Sequence, residues 1–313
     1  MYYSKDTVIY LHGEIVRYSE AKIDLYRQTL HYGYGEFEGI RSYKTAEGTT
    51  KIFKEEEHFE RLKNSTLALN IPYTWSSKEL IEASYEVLNR NDLQDAYIRP
   101  LVFAPANMSF KVNTESYIVI EAWQMNPFLG EQLLQVMISS FERPNPKAFK
   151  IEAKATGHYV NSIMASQEAK AKGFDEALLK DAEGFIAEGP GANFFVEKEG
   201  VLYTPQAGNI LPGITRATVL QICDKLGIPF VEKKISVREV YGADSAFFCG
   251  TAAEVIGIAS IDKISFKKEW KDTLGSIIQK EYKDLVTEKN KVKELQIVNE
   301  LTPVRTAFSR AGN

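Results

Sequence analysis

The sequence predicts an α/β protein of two domains with mixed sheets. Three observations lead there. The chain has 313 residues, about two average domains at roughly 150 residues each. Short apolar runs of strand length alternate with amphipathic stretches of helix length in both halves. Strands come both in hairpin-like pairs and separated by helices, which does not suit one doubly wound sheet. With 44% apolar and 26% charged residues, 17 Phe and 16 Tyr, the chain can fill a core, so disorder is excluded as its dominant state.

The elements follow in order. Thr7–Leu11 and Ile15–Val16 flank His12-Gly13 as a hairpin, and Ile40–Tyr43 and Lys51–Phe53 flank a turn at Ala46-Glu47-Gly48. Phe59, Leu62, Leu67 and Leu69 stand at helical spacing in a charged stretch. Leu80, Ala83, Tyr85, Val87 and Leu88 mark a second helix over Lys78–Arg90. Ala96–Phe103 and Tyr117–Ile120 read as buried strands, so residues 1–122 form the first domain. Residues 123–133, beginning Trp123-Gln-Met-Asn-Pro-Phe-Leu-Gly130, carry Pro and Gly and read as an interdomain loop. The second domain, 134–313, has strands at Leu134–Ser139, Glu176–Leu179, Asn193–Val196, Val201–Tyr203 and Ser245–Cys249. Its helices are Tyr159–Lys172, Ile214–Leu226 and Leu274–Val286.

Charge and cysteine usage narrow the function classes. A net charge of −4 disfavours a basic nucleic-acid binder. The longest charge-free stretch, around Val201–Thr215, is broken by Pro205 and Pro212 and is too short to span a membrane. The first ten residues hold no apolar core of the signal-peptide kind. Cys223 and Cys249 make no disulfide framework and no CxxC pair, so a reduced, cytoplasmic protein is expected.

Three segments suit chemistry. In Lys154-Ala-Thr-Gly-His-Tyr159 a lysine precedes small residues and a helix. A lysine amine condenses with carbonyls, although a lone lysine is usually a solvated surface group. In Ile186-Ala-Glu-Gly-Pro-Gly-Ala-Asn-Phe-Phe195, Glu188 stands beside glycines that let a planar ring approach. That run lacks the third glycine of a dinucleotide fingerprint and leads into a strand, so a plain tight turn is the competing reading. Leu211-Pro-Gly-Ile-Thr-Arg216 opens a helix whose free N–H groups suit a phosphate, unless Thr215 simply caps it. Gly250-Thr-Ala-Ala253 follows a buried strand and offers further N–H groups, or is a crowded turn. In this order, an amine, an acid and a phosphate cup are what pyridoxal phosphate requires.

Those segments, together with His31-Tyr-Gly-Tyr-Gly-Glu-Phe-Glu-Gly-Ile-Arg41, His58-Phe-Glu-Arg-Leu62, Tyr97-Ile-Arg99 and Gly250-Thr-Ala-Ala-Glu254, resemble the branched-chain amino acid aminotransferases among the fold-type IV pyridoxal-phosphate enzymes. The likeness runs from about His12 to Ile261. It implies a two-domain architecture with pyridoxal 5'-phosphate at the domain interface. It implies ping-pong transamination between L-leucine, L-isoleucine or L-valine and 2-oxoglutarate. Lys154 matches the Schiff-base lysine and later proton carrier, and Glu188 the partner of the pyridine nitrogen. Tyr159 matches the tyrosine on the cofactor's ring hydroxyl oxygen, and Leu211 the leucine on the ring face. Arg61, Ile214, Thr215 and Thr251 match the phosphate site. Tyr97, Thr251 and Ala252 match the α-carboxylate site. Phe37, Gly39 and Tyr32 match the side-chain pocket, with Arg99 for a distal carboxylate and Arg41 at the pocket edge. The family's counterpart of Tyr32 reaches the neighbouring subunit, so a homodimer or higher homo-oligomer is implied, acting on small amino and 2-oxo acids.

One position departs from the family. The loop reads MNPFLG, with Phe128 where well-known relatives carry tyrosine, which predicts weaker glutamate binding. Read from residues alone, Arg41 and Arg99 also suit structural ion pairs, and Glu36 and Glu38 suit solvation or pairing. Alternative functions are a D-amino acid aminotransferase, an aminodeoxychorismate lyase, a non-catalytic cofactor binder, and a dehydrogenase resting on Gly189 and Gly191.

Overall fold

The structure, a computed structural model, describes residues 2–125, 129–130 and 132–289. The chain builds two sheets in succession. The first contains β1 (Val8–Leu11), β2 (Glu14–Arg17), β3 (Gly35–Phe37), β4 (Ile40–Lys44), β5 (Thr50–Ile52), β6 (Ala96–Phe103) and β7 (Tyr117–Gln124). Their order is β2-β1-β7-β6-β4-β5, with β3 also on β6. Every pairing in it is antiparallel. The strand β7 continues past Ile120 through Trp123 to Gln124, because these residues pair with Ala96–Ile98 of β6.

Helices α1 (Gln28–Tyr32), α2 (Glu55–Ala68) and α3 (Ser77–Arg90) belong to this half. In α2 the first-turn acids Glu55–Glu57 face the positive end of the helix dipole. The Ser76 side chain caps α3 by accepting from the Glu79 N–H. Phe59, Leu62, Leu80 and Val87 are fully buried against Ile98, Val102, Ile118 and Ile120. Each such side chain stabilises the fold by roughly 1.5–3 kcal/mol. This packing fixes α2 over β3, so residues of the two elements share one site.

The second sheet contains β8 (Leu134–Glu142), β9 (Glu176–Lys180), β10 (Asn193–Lys198), β11 (Val201–Pro205), β12 (Phe230–Lys233), β13 (Ser245–Gly250), β14 (Glu254–Ile261) and β15 (Ile264–Ser265). The order is β12-β11-β10-β13-β14-β8-β9, with β15 on β14. Here β11·β12, β14·β8 and β8·β9 are parallel and the remaining pairs antiparallel. Its helices are α4 (Tyr159–Ala171), α5 (Ile214–Leu226), α6 (Val237–Tyr241) and α7 (Leu274–Val286). Buried Phe195, Phe247, Val219, Ile278 and Tyr282 join α5 and α7 to the sheet. Small Ala165 and Ala169 let α4 lie close on Met137 and Leu179.

The central strand β14 was not anticipated. Its sequence, EVIGIASI, is buried on both faces and therefore lacks the alternation that marks a half-buried strand.

Candidate functional site

A cavity of about 920 Å³ lies where the two sheets meet, and every residue matched to the cofactor or substrate site above lines it except Tyr32 and Arg41. Lys154 precedes α4 on a short connection tied down at both ends. Its backbone N–H donates to Ser65 Oγ of α2 at 3.1 Å, and its carbonyl accepts from the Phe37 N–H of β3 at 3.2 Å. Its Nζ donates to the Tyr159 hydroxyl oxygen at 2.6 Å. The Phe37 and Tyr159 rings pack edge to face at 4.7 Å, forming a wall beside the amine.

Glu188 is buried and fully engaged. Arg143 Nη2 lies 2.9 Å from its Oε1. Asn193 donates to its Oε2 at 3.0 Å, and the Leu211 N–H donates to both oxygens at 3.2 Å. Burial pushes its pKa above the ordinary carboxylate range, against the pull of Arg143. The glycines before Asn193 lead into strand β10 rather than a helix, so the dinucleotide reading has no helix start to hold a pyrophosphate.

The start of α5 answers the capping question. Gly213 is the N-cap, and no side chain caps the helix, so its first N–H groups have no partner within the helix. Ile214 and Thr215 carry them on the cavity wall. A Cβ on Gly213 would stand 1.9 Å from Asn193 Oδ1, so glycine lets the Glu188 support pass this close. The turn 250–253 joins β13 to β14 as a hairpin and brings Thr251 and Ala252 to the same wall.

Arg61 reaches the cavity from α2 with its donors directed by a buried acid. Its Nε and Nη2 donate to Glu38 at 2.7 and 2.8 Å, and its Nη1 to the Pro212 carbonyl at 3.0 Å. His58 Nδ1 is 2.7 Å from the same carboxylate. Burial pushes Glu38 up, but Arg61 and His58 prevail and hold it well below the usual carboxylate range.

The opposite end is aromatic. The Arg99 guanidinium lies 4.4 Å from the Phe37 ring centroid, 5.1 Å from Tyr97 and 5.9 Å from Trp123. It donates to the Tyr97 hydroxyl at 3.1 Å. Gly39 is required here, since a Cβ would come within 1.9 Å of that hydroxyl.

Two residues stand off the wall. Arg41 is buried behind it, donating to the Met125 carbonyl at 3.1 Å with Nη1 3.8 Å from Glu254 and its guanidinium over Tyr43. Its guanidinium is thus held between Glu254 and the carbonyl of Met125, a residue that itself lines the cavity. Tyr32 is 47% exposed on α1 and contacts Phe110. Phe128 lies outside the described residues. Arg143, Asn193 and Glu121, which also line the cavity, went unnoticed in the sequence. The order β6–β7, which pairs Arg99 with Glu121, was the available signal for the last.

Residues 35–261 match the family model described as amino-transferase class IV, and the chain belongs to that family. It is 40% identical over 291 residues to the branched-chain-amino-acid aminotransferase of Pseudomonas aeruginosa, covering 91% of this chain and 94% of that one. Among solved structures it is similar to the Escherichia coli branched-chain amino acid aminotransferase, at a TM-score of 0.88 and 34% identity, covering 93% and 98% of the two chains. It is also similar to the branched-chain amino acid aminotransferase from Thermobaculum terrenum in its PLP-bound holo form, at a TM-score of 0.85 and 32% identity, covering 91% and 95%. The family resemblance and the mixed α/β class read from the sequence are both borne out. Among the described residues, no helix is long and apolar enough to cross a membrane.

Proposed function

We propose that the protein is a pyridoxal-phosphate-dependent transaminase exchanging the amino group between L-leucine, L-isoleucine or L-valine and 2-oxoglutarate in ping-pong order. The supporting observation is one amine, Lys154, and one buried acid, Glu188, facing the same cavity beside an uncapped helix start. Pyridoxal 5'-phosphate, which Lys154 would hold through its aldehyde, would supply a protonated ring able to draw electrons from the substrate Cα.

The residues present fit that group. Burial leaves Glu188 favouring further positive charge, which a protonated ring nitrogen answers. The free N–H groups of Ile214 and Thr215 and the planar fork of Arg61 suit a phosphate, with Thr251 completing that end. Leu211 gives an apolar face to a ring.

The chain's own residues then have distinct tasks. Once the substrate amine has displaced it from the aldehyde carbon, the freed Lys154 Nζ would take the proton from the substrate Cα and deliver it to that aldehyde carbon. Tyr159 holds that amine in place at 2.6 Å. The Tyr97 hydroxyl and the N–H groups of Thr251 and Ala252 hold the α-carboxylate. Phe37 and Gly39 wall the side-chain space, and Arg99 meets a distal carboxylate. Arg41 acts from behind by pinning the Met125 carbonyl. In this reading the first domain runs on to the end of β7 at Gln124, two residues beyond the boundary expected at 122, and the second opens with β8 at Leu134. Tyr32 serves the neighbouring subunit of a homodimer or higher homo-oligomer, supported by the exposed Leu30, Tyr32 and Phe110. A cytoplasmic setting agrees with two buried free cysteines.

The test is product formation. Protein loaded with pyridoxal phosphate and given L-leucine and 2-oxoglutarate is expected to yield equal amounts of 4-methyl-2-oxopentanoate and L-glutamate, and Lys154→Ala to yield neither. Loaded wild-type protein that makes neither product contradicts the reading.

A further inference from the structure

A site that accepts both an apolar side chain and a carboxylate faces an electrostatic conflict. An arginine that welcomes the carboxylate is an unmatched charge when leucine is bound, and burying such a charge is costly. Arg99 has that difficulty. Its one hydrogen bond among the described residues goes to the Tyr97 hydroxyl and not to a carboxylate, and its Nε is buried without a partner.

The strand register places a counter-charge beside it. Arg99 of β6 pairs directly with Glu121 of β7. Directly opposed residues project to the same face with Cβ atoms about 4.5–5.5 Å apart, and both line the cavity. Burial pushes the Glu121 carboxyl up, and Arg99 is the group that pulls it down. Tyr18, on the turn after β2, also lies within electrostatic reach of Glu121.

We propose that Glu121 is a specificity-determining residue that balances the charge of Arg99 when the substrate side chain is apolar and opposes a second carboxylate entering beside it. This rests on the reading of Arg99 as the distal-carboxylate partner. Glu121 then weakens dicarboxylates selectively. The cost to 2-oxoglutarate and glutamate secures tolerance of leucine, isoleucine and valine.

Equilibrium binding to the holoenzyme tests it, using glutarate as the dicarboxylate probe and 4-methylvalerate as the apolar one. Glu121→Gln, which keeps shape and removes charge, is expected to bind glutarate about tenfold tighter, the order expected for removing one nearby like charge from a partly buried site. It is expected to bind 4-methylvalerate no tighter. Glu121→Ala provides a second variant with the same expected direction. Unchanged glutarate affinity, or an equal gain for both probes, overturns the proposal. Arg99→Gln separates the role of Arg99 from that of Glu121. If it weakens glutarate while the Glu121 variants change nothing, only the role of Glu121 falls. If it leaves glutarate untouched, the reading of Arg99 falls and this proposal with it.

Discussion

Arg143 Nη2 stands 2.9 Å from Glu188 Oε1, with both side chains buried. Removing one partner of such a pair leaves an uncompensated buried charge, typically costing about 3–5 kcal/mol. Arg143→Ala is therefore expected to lower the melting temperature strongly and to weaken pyridoxal phosphate retention. Arg143→Ala combined with Glu188→Gln is expected to recover part of the stability and none of the activity. Calorimetry on the wild type and both variants checks this. Equal melting temperatures for Arg143→Ala and wild type would show that the pair carries no stability.

Gly39→Ala places a methyl group where the Tyr97 hydroxyl now lies, 1.9 Å from the new Cβ. Tyr97 must move, and Arg99 loses its hydrogen-bonded neighbour. A displacement near 1 Å at a substrate-positioning group costs roughly a hundredfold in rate. The expected result is a loss of that order in kcat/KM with an unchanged circular dichroism spectrum.

Tyr159→Phe removes the hydroxyl 2.6 Å from Lys154 Nζ. An ordinary hydrogen bond contributes about 0.5–1.5 kcal/mol, or about two- to tenfold in rate. The loss is expected in kcat, with the KM for L-leucine moving much less, because the tyrosine holds the amine and not the substrate. A change confined to KM would contradict that assignment.

Glu36 and Glu38 share one face of a strand end, and their pH dependences run in opposite directions. Glu38 has a lowered pKa, so its contribution is fully present above the unfolded value of about 4.3 and is lost as pH falls from there through the lowered folded value. Glu36 is fully buried, both its oxygens lack partners, and burial together with Glu38 raises it to about 8. The unfolded chain ionises Glu36 from about pH 4.3 upward, so this residue destabilises the fold increasingly between there and about pH 8. Glu36→Gln is expected to raise the melting temperature more at pH 8 than at pH 5. A gain independent of pH would mean that Glu36 does not titrate in that window.

Much of this site was legible because the chemistry lies in local runs. Lys154 before a helix, Glu188 beside glycines and Ile214 at a helix start are each readable within about ten residues. The α5 and α7 boundaries were readable too, since amphipathic spacing ends sharply at Gly213 and Val286. What escaped depends on distance along the chain. Arg143 follows β8 with no local pattern around it, and only the fold brings it to Glu188. His58 and Glu38 carried a motif, but their joint hold on Arg61 needs α2 packed on β3. Glu121 belongs to no local motif, and only the β6–β7 register sets it across from Arg99.

The visible spectrum of the purified holoenzyme before and after L-leucine reports at once on the cofactor, on Lys154 and on the hand of the substrate. The expected result is an absorption band from lysine-bound cofactor that bleaches with L-leucine, persists with D-alanine and is absent in Lys154→Ala. A band that L-leucine leaves unchanged, or that D-alanine bleaches instead, would contradict it.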